Sequence, residues 1–234
     1  VQTCALPILK THYIAFPLPD TLISKSNRFL EAVNARDSRA GALFAEASNE
    51  LTDMLIQILL LEPLEQANIG SVGEKLVRVC ASTGAKVSHM LSGKLFNKAP
   101  MDELVLVADH WQKNLKDFQD GKGWRISTPI EPKFADEIEF MLAERGTSEE
   151  YIPKDMSKVV SAYEKLSDIL IDDMFLGYTR KLKLGMIMNG LLNTGVSSVK
   201  SAIHSVMHNV IGSLHPKQLA EYVDHTAQFR AIDP

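Results

Sequence analysis

The chain has 234 residues, of which 45% are hydrophobic and 23% charged, and a formal net charge of −4. These are globular rather than disordered values, and the acidic balance speaks against a non-specific nucleic-acid binder, which needs a basic surplus. Two cysteines, Cys4 and Cys80, exclude a disulfide framework and a Cys-rich zinc site, and no apolar run reaches the roughly 18 residues of a transmembrane helix.

Val1 to Ile8 read VQTCALPI, which is what GTT CAG ACG TGT GCT CTT CCG ATC encodes. That string resembles the end of a common sequencing-library adapter, so Val1–Ile8 are expected to be a scar rather than native chain, leaving Cys80 as the native thiol. Residues 9–19 are apolar and punctuated by Pro17 and Pro19, which favours an extended lead-in across the core. Asp20 opens a first helix on Leu22, Phe29, Leu30 and Val33.

A second helix starts at Asp37 or Ser38. Its stripe, Leu43, Ala47, Leu51, Met54, Ile58 and Leu61, ends where Pro63 should stop it. Ser71 and Glu74 form a capping-box pattern for a third helix, with Leu76, Cys80, Thr83, Val87 and Met90 inward. The Gly, Ser and Ala residues between 81 and 88 make this helix slim and suited to close packing. Pro100 begins a fourth helix, and Leu104, Ala108, Trp111, Leu115 and Phe118 form the cleanest heptad in the chain.

Residues 121–132 are the longest non-helical piece and the natural seam if residues 20–234 divide. A fifth helix runs from Lys133 to Arg145 and is closed by Gly146. A sixth, capped by Asp155, carries Val159, Tyr163, Leu166, Leu170 and Met174. Residues 184–214 contain a single charge, Lys200, and a stripe of Leu192, Val196, Val199, Ile203, Val206, Val210 and Leu214. Gly185, Gly190 and Gly195 are expected to break or bend this stretch, with Ser197 or Ser198 capping the remainder, and Pro216 starts a last helix. No alternating run is long enough for a sheet. The fold class is therefore all-α: an irregular bundle of six to eight helices with no sheet of consequence.

Candidate chemistry is sparse. His204 and His208 are four apart on one helix face and offer two of the three or four ligands a metal needs, with no H-E-x-x-H pattern around them. Glu164, Asp168 and Asp172, with Asp173 beside them, read as a solvated acidic face next to Lys165. Cys80 lies on an apolar stripe, as a core thiol does. No nucleophile elbow or dinucleotide fingerprint occurs, and no cofactor is implied.

The reading is a cytoplasmic, non-enzymatic binding or assembly protein. The stripe from Leu192 to Leu214 would be its contact surface toward a partner helix or a second copy. A membrane or other apolar surface is the next candidate, with Arg180, Lys181 and Lys183 as a surface anchor. The alternative is a helical-bundle ligand-binding protein or enzyme with a polar pocket near His204 and His208. Exposure of the stripe separates the two.

Overall fold

The computed structural model describes residues 10–67 and 69–233, so the expected adapter segment Val1–Ile8 lies outside the described residues. Within them the helical spacings become α1 (Asp20–Asn34), α2 (Ala40–Ile56), α3 (Glu62–Gln66), α4 (Gly70–Phe96), α5 (Met101–Asn114), α6 (Pro132–Arg145), α7 (Met156–Met174), α8 (Leu176–Thr179), α9 (Met186–Asn209) and α10 (Pro216–Ala227). Eight of these are 12 residues or longer, so the fold is mostly α.

One small sheet joins the helices, with four antiparallel strands in the order β2-β3-β1-β4: β1 (His12–Pro17), β2 (Leu115–Asp117), β3 (Trp124–Ile130) and β4 (Arg230–Ile232). The extended lead-in is its central β1, which runs from His12 opposite Ile130 to Pro17 opposite Arg125. Alternation is missing from β1 because both faces are covered. Ile14 and Phe16 enter the main core, while Tyr13 and Ala15 pack on Phe118 and Ala231. Within residues 121–132, Ile126 and Ile130 of β3 sit in the same core as Phe29 and Phe44.

The α5 heptad holds through Leu104, Ala108 and Trp111, all buried, but the helix ends at Asn114. The Ser127 hydroxyl donates to the Asn114 carbonyl at 3.1 Å, and Leu115 turns into β2. Phe118 is consequently buried against the sheet rather than in the helix stripe. The expected capping box at Ser71 is also absent: α4 starts at Gly70 with no side-chain cap. Asp155, by contrast, caps α7 as expected, accepting the Ser157 backbone N–H at 3.1 Å.

The α2–α4 pair is the spine of the bundle. Phe44 meets Phe96, Ser48 meets Ser92 at 3.4 Å, Thr52 meets Ser88 at 2.8 Å, and Ile56 lies over Gly84. Each step is four residues along both helices in opposite directions, the spacing of one antiparallel face. Gly41 allows the closest approach, because a Cβ there would lie 2.0 Å from the Phe96 carbonyl oxygen.

Pro63 does not stop the chain of helices. A π-helical turn (Gln57–Leu61) leads from α2 into α3, and Pro63 occupies the first turn of α3, where its missing N–H is least costly. The carbonyls that this proline's N–H would have served, four and five residues back, belong to Leu59 and Ile58. Both are satisfied by α10: Tyr222 Oη donates to Leu59 O at 3.3 Å, and His225 Nε2 donates to Ile58 O at 2.8 Å.

Of the breaks expected in residues 184–214, Gly185 stands as the extended residue before α9, but those at Gly190 and Gly195 are absent. Helix α9 runs unbroken through Gly190 and Gly195. At Gly195 a Cβ would meet Val87 Cγ1 and Leu91 Cδ1 at 3.1 Å each, so the small residue lets α9 press against α4. Among the described residues no helix is long and apolar enough to cross a membrane.

Candidate functional site

Helix α4 packs on α2 along one flank and on α9 along the other, and α9 packs on α7. The face α4 buries is centred on Val77, Cys80, Ala81, Gly84, Ser88 and Leu91, with the expected Leu76, Thr83 and Val87 half-buried at its edges. A helix gripped on two flanks buries small residues at the contacts, and Met90, 41% exposed, is left outside.

Inside this ring lies a partly open cavity of about 140 Å³. Leu51, Thr52, Leu55 and Ile56 of α2 and Leu59 and Leu60 of the π-helical turn form one wall. Cys80, Gly84, Val87, Ser88 and Leu91 of α4 form the next, followed by Leu166, Leu170 and Met174 of α7 and by Val196, Val199, Ile203 and Met207 of α9. Tyr222 and Thr226 of α10 close one end against Tyr163. Among the described residues no charged side chain lines it.

The few polar atoms in the wall are already engaged. Thr52 Oγ1 donates to the Ser48 carbonyl at 3.0 Å and shares a hydrogen bond with Ser88. Tyr163 Oη pairs with Thr226 Oγ1 at 2.7 Å, and Ser167 donates to the Glu164 carbonyl at 2.7 Å. What remains facing inward is hydrocarbon and the Cys80 thiol. Burial pushes that thiol up to about 11, so it is neutral and unreactive at ordinary pH.

Short polar contacts tie the walls together from outside. His89 Nε2 lies 2.9 Å from Asp53 Oδ1, joining α4 to α2. Lys200 reaches Asp172 at 2.9 Å and Asp168 at 3.4 Å, and His204 Nε2 is 3.2 Å from Asp168, joining α9 to α7. The acidic face of α7 is thus a partly exposed ladder of ion pairs. Each such pair contributes about 0–1 kcal/mol.

Placed on this frame, the sequence-derived candidates separate. Leu192, Val196, Val206, Val210 and Leu214 are buried, and Val199 and Ile203 are half-buried on the cavity wall. The stripe is therefore the chain's own interior, not an open contact surface, because α4 and α7 already cover it. Its small polar face is the exposed one, with Ser198 and Asn209 bonded back to the carbonyls of Thr194 and Ser205.

His204 and His208 do not converge: the first is held by Asp168 and the second is exposed. Among the described residues no three His, Cys, Asp or Glu side chains come together to hold a metal. Arg180 and Lys183 are exposed and Lys181 is half-buried, beside the start of α9.

A second polar cluster was not visible in the spacing, since its members come from α5, β3, α7 and α8. Thr128 Oγ1 donates to Asp173 Oδ2 at 2.5 Å, and Asn114 Nδ2 lies 3.4 Å from both that oxygen and Tyr178 Oη. His110 Nε2 is 3.6 Å from Asp173 Oδ1. Gly177 makes room for this imidazole, as a Cβ there would sit 2.4 Å from His110 Nε2. These groups satisfy one another and none lines the cavity, so the cluster is a tie between layers. The wall residues Leu55, Leu59 and Leu166 were likewise unmarked in sequence as anything but core. Compared with known proteins, the chain matches no family model, no curated protein and no solved structure.

Proposed function

We propose that this chain is a binding protein for a small uncharged apolar ligand, or for the apolar end of an amphipathic one, held between α2, α4, α7 and α9. The observation that carries the reading is a cavity of about 140 Å³ whose lining, among the described residues, carries no charged side chain. An enclosed void of that volume costs about 3 kcal/mol at roughly 24 cal/mol per Å³, and this partly open one costs less; an apolar cavity of about 150 Å³ is known to accept a ring the size of benzene. A ligand that replaces the missing contacts would offset that cost.

This is the ligand-binding alternative with its wall changed from polar to apolar. Val196, Val199 and Ile203 contribute as lining rather than as a contact surface. The buried Cys80 thiol suits the reducing, cytoplasmic compartment that the composition suggests.

Thermal melts with benzene, short alkanes and medium-chain alcohols, together with titration of an uncharged naphthylamine dye, test the reading. Wild type should melt higher with ligand and brighten the dye. Val199→Phe, which fills the cavity, should melt no lower alone and respond to neither. An unchanged melt of wild type at saturating ligand, or an equal response from the variant, would sink the proposal.

A further inference from the structure

The most exposed large apolar side chains among the described residues are Met186 and Ile187, each 90% exposed at the first turn of α9. They are preceded by Arg180, Lys181 and Lys183. The Arg180 guanidinium reaches only the Asp172 carbonyl, at 3.4 Å, and the three cations make no ion pair with one another's neighbours among the described residues. Of the nearby acids, Glu103 sits against this segment itself and the other two are engaged elsewhere. Glu103 accepts the Lys183 backbone N–H at 3.1 Å, Asp102 pairs with Arg36 at 2.7 Å, and Asp172 pairs with Lys200 at 2.9 Å. Beyond Ile187, every exposed residue of α9 as far as Ser201 is small and uncharged.

We propose that the corner from Arg180 to Ile187 docks on an anionic lipid surface. Met186 and Ile187 enter the boundary between headgroups and acyl chains, and the three cations sit among the headgroup phosphates and carboxylates. The charge pattern selects this occupant: three cations come just before an apolar tip in the chain, and the exposed face of α9 that follows carries no acidic residue to be repelled. A protein partner fits less well, because two side chains bury far less than the roughly 800 Å² per partner of a stable interface. Each cation near an anionic leaflet strengthens partitioning about fivefold, and burying a Met or Ile side chain does so by on the order of tenfold to a hundredfold. The inference stands apart from the cavity and does not require it.

Co-sedimentation of the full chain with vesicles of about 30% phosphatidylserine in phosphatidylcholine, and with pure phosphatidylcholine, tests it at about 0.05 M and about 0.5 M salt. Wild type should pellet with the anionic vesicles at low salt, bind at least about tenfold more weakly at high salt, and stay in solution with neutral vesicles. Lys181→Glu/Lys183→Glu should lose at least about 30-fold in affinity and Met186→Ser/Ile187→Ser at least about tenfold. Both variants should keep the wild-type melting temperature, since the Met and Ile side chains make few contacts. The proposal is overturned if wild type stays in the supernatant, if it binds both vesicle types equally, or if either variant binds like wild type. It is also overturned if light scattering finds a vesicle-free dimer that Met186→Ser/Ile187→Ser dissolves, which would make a second copy the occupant.

Discussion

The two ends of the α2–α4 pair share one backbone geometry and have opposite interiors. At the first, Phe44 is surrounded by rings, with centroids at 4.8 Å for Phe29, 4.6 Å for Phe96, 5.6 Å for Trp111 and 5.3 Å for Tyr178. Two to three turns along, the facing residues shrink to Thr52 with Ser88 and Ile56 with Gly84, and the interior becomes a cavity of about 140 Å³. Gly41 at the aromatic end and Gly195 between α4 and α9 let the helices approach closely there, while the short side chains further along leave the space between α2, α4, α7 and α9 unfilled. A cavity of this kind is a consequence of side-chain size varying along a rigid pair of helices.

If that contrast is right, the largest response to mutation belongs to the aromatic end. Trp111, 0% exposed, touches Phe44 and Tyr178. Trp111→Ala should destabilise by about 3–5 kcal/mol, read as a lower urea midpoint with an unchanged slope. Trp111→Phe should cost much less than its lost volume suggests, because the indole N–H has no hydrogen-bond partner and its removal relieves a buried unsatisfied donor. A loss below about 1 kcal/mol for Trp111→Ala would mean that the ring cluster is not the tightly packed end of the pair.

Much of this architecture was legible from spacing, and the cavity was not. The stripe on α9 was read correctly as an apolar face, yet a core, a partner interface and a cavity wall all demand the same three- and four-residue steps. Periodicity cannot distinguish them. On α4 the expected stripe holds at Cys80 and is half-buried at Leu76, Thr83 and Val87, but Met90 is exposed while Gly84 and Ser88 are inside, because two flanking helices make small size the premium. Pro63 and the α9 glycines were read as breaks from local propensity alone. Contacts from Tyr222, His225, Val87 and Leu91, distant in sequence, overrode that propensity. The cavity depends on five helices and a π-helical turn converging, and no local window contains that information.

The cavity end should also announce itself in alkali. The folded Cys80 thiol is raised to about 11 by burial, above its ordinary value, so the folded chain holds a proton that the unfolded chain releases. Stability from this group is full below about pH 9 and falls as pH rises toward 11, by about 1 kcal/mol per pH unit and about 2 kcal/mol in all. Cys80→Ala should flatten the stability profile between pH 9 and 11 relative to wild type. Tyr151, Tyr163, Tyr178 and Tyr222 are pushed up as well, and they steepen the loss at higher pH equally in both proteins. Identical slopes for the two proteins up to pH 11 would place Cys80 in contact with water, and the wall there would be open rather than apolar.

The smallest expected effect is the most direct measure of the cavity's shape. Gly84 lies mid-helix on the wall, where an added Cβ would meet Ile56 Cδ1 at 3.5 Å and Val199 Cγ1 at 4.0 Å, both ordinary contacts. Gly84→Ala should therefore raise stability by about 0.5–1 kcal/mol, through better helix propensity and a less flexible unfolded chain. The methyl also takes volume from the cavity, so the same variant should bind the apolar probes less tightly while melting higher than wild type. A fall in stability would show that α2, α4 and α9 already touch at this level and that the cavity ends short of Gly84. A rise in stability with undiminished probe binding would place the ligand nearer the α7 and α10 walls, against Leu166, Met174 and Tyr222, and would direct cavity-filling substitutions there.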